Sequence, residues 1–169
     1  LKTLETRPRE REDLWSFELP VEYTADAETP EAERFFRGIC NGDDSMYAYL
    51  QEVLGYCLTG EVTERRMYIL YGAGRNGKSS LMDVLKHALG LFYTAIDQRV
   101  LLKQERSGGA TPELMPLLTA RVAAFSEGQD DCTLNANRIK RLTGSDDISA
   151  RELYQQQITF RPQAKLLML

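Results

Sequence analysis

A chain of 169 residues that is 43% hydrophobic is long enough for one α/β domain plus a small accessory piece. No apolar run reaches membrane-spanning length and the N-terminus has no signal-peptide pattern, while Cys40, Cys57 and Cys132 are odd in number and widely spaced; these features argue for idle or buried thiols in a reducing cytoplasm and against a membrane span, a disulfide frame or a metal site. The net charge of −4 does not advertise nucleic-acid binding, although a whole-chain charge says little when basic groups gather on one surface.

Residues 1–28 mix both charges densely and have little periodicity, which reads as a lead-in segment. Within it Trp15, Phe17 and Leu19 alternate as a short strand or docking segment. Thr29-Pro30 is a helix start, with a cap residue followed by proline at the first helical position. Phe35, Phe36, Ile39 and Cys40 give that helix an apolar face. A second helix starts near residues 43–45, carries Met46, Leu50, Val53, Leu54, Cys57 and Leu58 at helical spacing, and ends at Gly60. Residues 29–61 are thus expected to form a small α-helical subdomain, and 62–169 the core that follows.

The core opens on Met67-Tyr68-Ile69-Leu70-Tyr71, a run of the right length for a buried strand. Gly72, Ala73, Gly74, Arg75, Asn76, Gly77, Lys78 and Ser79 follow and match G-x-x-x-x-G-K-[ST]. A helical stripe at Leu81, Met82, Val84, Leu85, Ala88 and Leu89 comes next, with Gly90 placed to cap it. The motif therefore sits between a strand and a helix, the context of a phosphate-binding P-loop. Polyphosphate must be wrapped by backbone N–H groups at close range, which glycine permits. The helix start adds free N–H groups and a positive dipole end. Lys78 is the group to reach the β- and γ-phosphates, the Ser79 hydroxyl can ligate Mg²⁺, and Ser80 completes the first turn. The single histidine, His87, falls in this helix and reads as a surface or packing residue, since no second one exists to pair with it on a metal.

Beyond Gly90 a strand is expected over 91–96, a short helix over 97–103, a loop over 104–110 around Gly108-Gly109, and a short helix over 113–118 perturbed by Pro116. Val122-Ala123-Ala124-Phe125 is an uninterrupted apolar run followed by Ser126-Glu127-Gly128, a buried strand with an acid at its tip, where α/β folds place chemistry. A helix over 135–143 should start at Asn135, turn Ile139 and Leu142 inward, and end at Gly144. It carries Arg138, Lys140 and Arg141; the first and last share a face and Lys140 lies off it. Residues 148–154 and 157–160 alternate as a hairpin, and a third buried strand begins at Lys165.

The helical lead-in, Gly-x-Gly-x-Asn-Gly-Lys-Ser, the strand ending in Ser-Glu, and the stretch 134–154 with Lys140, Arg141, Leu142, Thr143, Gly144 and Arg151 together resemble the helicase part of phage/plasmid and poxvirus-type primase–helicases, of helicase superfamily III. The resemblance covers about residues 19–169. It implies a P-loop NTPase (AAA+-like) α/β fold, a parallel sheet flanked by helices, acting as an ATP- and Mg²⁺-dependent DNA-unwinding motor. It further implies a homohexameric ring with ATP sites between subunits, and a primase domain upstream in a longer protein. Lys78 and Glu127 would be the catalytic pair. Ser79 and Glu127, the latter through water, would hold Mg²⁺, and Arg151 with Lys140 would contact DNA. Position 126 is Ser where many P-loop enzymes place Asp. The polar sensor residue after the last strand and the arginine finger are expected beyond residue 169, which with the start at Leu1 fits a fragment carrying the phosphate clamp and the acid but not the complete hydrolysis machinery. Two other classes share a P-loop: a nucleotide kinase or small-molecule phosphotransferase, and a nucleotide-binding assembly module without turnover.

Overall fold

The computed structural model describes residues 7, 10–14, 16–24, 26–102, 111–126, 133–144 and 146–169. Trp15, the loop over 104–110, Glu127 and Cys132 lie outside the described residues.

Two helices come first, α1 (Pro30–Ile39) and α2 (Asp44–Leu58), followed by strand β1 (Met67–Ile69) and helix α3 (Lys78–Leu89). Then come β2 (Tyr93–Ala95), β3 (Val122–Phe125), α4 (Ala136–Thr143), the hairpin β4 (Ile148–Ala150) and β5 (Ile158–Phe160), and β6 (Lys165–Met168). Local chemistry sets most of these boundaries. The Asp43 carboxylate accepts the N–H groups of Ser45 and Met46 at the start of α2, the Asn135 side chain accepts that of Arg138 in α4, and Gly90 closes α3 at φ 53°.

β1, β6, β3 and β2 form one parallel sheet in that order. β3 lies inside it and is buried along its whole length, which explains its unbroken apolar run: a parallel strand covered on both faces has no polar side to alternate with. Successive residues still point to opposite faces. Ala123, Phe125 and Leu166 join one apolar cluster with Leu101, Leu117 and Leu142. Val122, Ala124 and Leu167 join another with Leu81, Leu85 and Leu89. The second cluster also takes in Cys57 and the half-buried Phe36, Ile39, Leu50, Val53 and Leu54, so the apolar faces of α1 and α2 are continuous with the layer that α3 forms on the sheet.

Several elements are shorter or tighter than the periodicity suggests. The expected strand over 91–96 begins with a 3₁₀ turn, Gly90–Phe92, before β2. The expected helix over 97–103 is the 3₁₀ turn Gln98–Leu101, capped by the Asp97 carboxylate on the Arg99 N–H at 2.8 Å. Pro112–Leu118 is also 3₁₀, with Pro116, which has no N–H to give, inside it. β4 stops at Ala150 because the backbone of Arg151 is engaged elsewhere: its N–H donates to Thr111 Oγ1 at 3.2 Å and its carbonyl accepts from the Thr111 N–H at 2.9 Å. Phe17 is in no strand and meets Phe92 edge-on at 6.5 Å between centroids, the docking alternative of the two offered for that segment.

Candidate functional site

The octet from Gly72 to Ser79 leaves the C-terminal end of β1 and enters α3 at Lys78. Its shape depends on two glycines. Gly72 has φ 146°, and a Cβ there would stand 2.3 Å from Asn76 Nδ2. Gly77 has φ 86°, and a Cβ there would stand 2.5 Å from Ile39 Cγ2. The first position lets the loop fold back on itself; the second lets it rest on the end of α1. Arg75, at φ 63°, supplies a further left-handed turn without being glycine. Gly74 faces open space.

Lys78 Nζ donates to the Gly72 carbonyl and to Asn76 Oδ1, both at 3.0 Å, so the cation lies across the mouth of the loop. Gly77 caps α3 and offers no side chain to the first-turn N–H groups. Polar donors thus converge on the loop from two directions: backbone N–H groups of α3 and the Lys78 ammonium. Ala73, Arg75, Asn76, Ser79 and Ser80 are exposed around it. This donor set fits a polyphosphate, whose oxygens accept only.

Sheet pairing runs up to the same mouth. Leu70 N–H donates to the Met168 carbonyl at 2.8 Å and Leu169 N–H to the Phe125 carbonyl at 3.0 Å. Ser126 is exposed at the tip of β3, one strand away from β1 across β6. Glu127, read as the acid of the site, is outside the described residues. Among those described, no group of three His, Cys, Asp or Glu side chains is placed to hold a metal. His87 is exposed.

The basic residues read as nucleic-acid contacts belong to the other layer. α4 and β4 pack through Leu142 and Ile148 on the cluster opposite α3. Lys140 and Arg151 are exposed there. Arg138 differs: its side chain is half-buried, 3.7 Å from Glu113, so the face shared by Arg138 and Arg141 is not uniformly solvated. Arg141 is exposed and donates to the Asp147 carbonyl at 3.4 Å.

One cation escaped the sequence reading. Lys165, at the start of β6, is 2% exposed. Its Nζ donates to the Thr59 carbonyl, lies 3.4 Å from the Gln163 carbonyl, and stands 4.7 Å over the Tyr56 ring. Burial pushes its pKa down to about 8. Nearby, burial pushes the Cys57 thiol up to about 11. A lysine heading an apolar run looks like a strand flank; its only sequence-level hint is that the run begins at that residue and not after it.

Residues 70–169 match the family of unknown function DUF5906. The chain is 38% identical over 150 residues to "Putative helicase L207/L206" of Acanthamoeba polyphaga mimivirus, covering 88% of this chain and 16% of that protein. It is 35% identical over 85 residues to "Putative helicase 022R" of Frog virus 3, covering 49% and 9%. With "Putative primase C962R" of African swine fever virus it shares 31% over 106 residues, covering 62% and 11%. The chain therefore spans only a small part of these relatives. Among solved structures, an apo form of the NrS-1 C terminal region superposes with a TM-score of 0.64 at 16% identity, covering 83% of this chain and 33% of that one. A second apo structure of that region (305-718) gives 0.59 at 15%. At that identity the likeness is one of fold: the parallel sheet flanked by helices. Among the described residues no helix is long and apolar enough to cross a membrane. The chain belongs to the DUF5906 family, and its relatives in large DNA viruses are proteins named as helicases and primases.

Proposed function

We propose that this chain is the ATP-binding part of a replicative DNA helicase, working as a homohexameric ring within a longer protein that also carries a primase domain. The observation that supports it most is the loop at the end of β1, where Lys78 lies across the mouth 3.0 Å from both Gly72 O and Asn76 Oδ1 and the start of α3 has no side-chain cap. The names of the viral relatives point the same way.

In this reading the first-turn N–H groups of α3 hold the β-phosphate. Lys78 exchanges its two loop oxygens for oxygens of the β- and γ-phosphates. The Ser79 hydroxyl, with that of Ser126 at the tip of β3 and the Glu127 carboxylate, would hold Mg²⁺, which would supply positive charge against that building up on the transferred phosphoryl group. Glu127 accepts a proton from the attacking water and orients it. Arg151 and Lys140 contact DNA phosphates on the opposite layer, so nucleotide and DNA would act through different faces of the sheet.

Calorimetric titration with ATP and Mg²⁺ tests this. Lys78→Ala should weaken binding by about 30-fold or more, the equivalent of ~2 kcal/mol or more for a lost charge partner. Its thermal midpoint should stay near wild type, because among the described residues the side-chain amine bonds only to loop oxygens. A folded variant with wild-type affinity would overturn the phosphate reading.

A further inference from the structure

Helix α2 is held at both ends. At its C-terminal end two cations bind its last carbonyls. Arg121, just ahead of β3, donates to the Leu58 carbonyl at 2.9 Å, and Lys165, at the start of β6, donates to the Thr59 carbonyl. At its N-terminal end α2 is tied to α1 through a closed turn. The Gly42 N–H donates to the Arg37 carbonyl at 3.1 Å and the Asp43 N–H to the Cys40 carbonyl at 3.0 Å. The Arg37 side chain pairs with Asp44 and lies 4.4 Å over the Tyr47 ring. The last residue of α1, Ile39, is the one that meets Gly77 of the loop.

We infer that Arg121 and Lys165 are positioning residues for the phosphate loop: by anchoring the C-terminal end of α2 they fix, through the α1–α2 pair, where Ile39 rests on Gly77. The inference rests on the phosphate reading of Gly72 to Ser79 and assigns what sets the geometry of that site from the far end of the sheet.

The parts suit the role. α2 has 15 residues and so is about 22 Å long, and a hydrogen-bonded helix carries a displacement of one end to the other. The receiving contact is tight, since a Cβ on Gly77 would stand 2.5 Å from Ile39 Cγ2 and 3.9 Å from Phe35 Cε2. A radial gap of ~0.5–1 Å already forfeits a quarter to a half of such a packing contact. Gly77 is also the residue that turns the loop into α3, at φ 86°, so its torsions aim the first-turn N–H groups that the phosphate reading uses. The anchors share the work with the core: Leu50, Val53, Leu54 and Cys57 of α2 pack with Leu81, Leu85 and Leu89 of α3. Without the anchors α2 therefore stays on the sheet and loses only its fine placement, which sets a modest effect.

Calorimetric titration with ATP and Mg²⁺, well below the unfolding midpoint of each variant, tests this. Lys165→Met and Arg121→Met should each weaken ATP binding about threefold to tenfold, the range of couplings carried through packed elements, although neither side chain lies near the loop. Arg121→Lys keeps a cation for the Leu58 carbonyl and should bind ATP close to the wild-type level. Ile39→Ala removes the receiving contact, so adding Lys165→Met or Arg121→Met to it should weaken ATP binding no further. Wild-type affinity in both methionine variants, or fold-changes that simply multiply in the Ile39→Ala background, would overturn the inference. So would Arg121→Lys binding as weakly as Arg121→Met, which would assign the loss to side-chain packing and not to the anchored carbonyl. Should Lys165→Met fail to fold, the Arg121 variants decide the matter by themselves. Absence of ATP binding by the wild-type chain would instead overturn the phosphate reading, and the positioning role with it.

Discussion

Two lysines stand at opposite ends of the parallel sheet. Lys78, past the C-terminal end of β1, is half-buried, held by two loop oxygens at 3.0 Å and adjoining open space at Gly74. Lys165, at the N-terminal end of β6, is 2% exposed and locked onto the carbonyl of Thr59 at the end of α2. Arg121 stands near it, donating to the Leu58 carbonyl at 2.9 Å with its guanidinium 5.1 Å over the Phe92 ring. The two ends use the same chemistry, a cation on carbonyl oxygens, for different purposes. At the loop the bonds are few and exchangeable, so an incoming anion can replace them. At the far end the cations satisfy orphan carbonyls at the negative end of the α2 dipole, and burial raises the cost of exchange.

The loop end is also where backbone strain is braced by packing, and the largest effect is expected there. Gly77→Ala places a Cβ at φ 86° and 2.5 Å from Ile39 Cγ2. The left-handed conformation costs ~1–2 kcal/mol for a residue with a Cβ, and overpacking typically adds ~1–3 kcal/mol. A destabilisation of about 2–4 kcal/mol is expected by denaturant titration. Ile39→Ala in the same chain removes the collision but not the torsion, so the two substitutions should be non-additive by roughly 1–2 kcal/mol. Strictly additive values would mean that α1 does not brace the loop.

What the sequence reveals divides along the same line. The loop end is local: the octet, its strand and its helix are contiguous, and Thr29-Pro30, Asp43, Asn135 and Gly90 announce their helix ends through side-chain and backbone chemistry that acts within a few residues. The far end is not. Lys165 meets Thr59, 106 positions away, and Arg121 meets Leu58, 63 positions away; no periodicity carries that information. The same limit applies to Arg138, whose partner Glu113 lies on another element. The strand tip at Ser126 is legible from the apolar run before it, whereas the role of Glu127 rests on its place just after that run and on the resemblance.

The far end should show itself in the pH dependence of stability. An unfolded lysine titrates near 10.5 and Lys165 at about 8, so between those values the unfolded chain holds more protons and stability rises with pH. Cys57 acts in the opposite sense: about 11 folded against 9.0 unfolded, so the folded chain holds more protons there and stability falls as pH rises through that window. Together they predict a rise between pH 8 and 9 and a fall toward 11, to which Cys40, Tyr68 and Tyr93, each also raised by burial, add in the same sense as Cys57. Each single-group slope is at most about 1.4 kcal/mol per pH unit. Urea titrations at stepped pH check this against Lys165→Met, which should lose the rise between pH 8 and 9 and keep the fall. A wild-type curve that is flat from pH 8 to 9 would mean that Lys165 is solvated and that the two ends of the sheet do not differ.

The smallest expected effect sharpens the contrast further. Burial is the chief cause of the low Lys165 pKa, but the neighbouring Arg121 charge also lowers it. Arg121 is itself partly desolvated: burial lowers its pKa, and its Nε is buried with no hydrogen-bond partner among the described residues. Arg121→Met therefore removes one charge-assisted bond to Leu58 and at the same time one unsatisfied donor and one like charge. Opposed changes of this kind tend to leave a net cost of ~1 kcal/mol or less, smaller than at Gly77. The more telling readout is the onset of the pH-dependent rise. With the Arg121 charge gone, Lys165 holds its proton to higher pH, so the rise should begin above the wild-type onset near pH 8. An onset that stays in place would show that solvent screens the two cations from each other, and that the closed end of the sheet is wetter than its carbonyl contacts suggest.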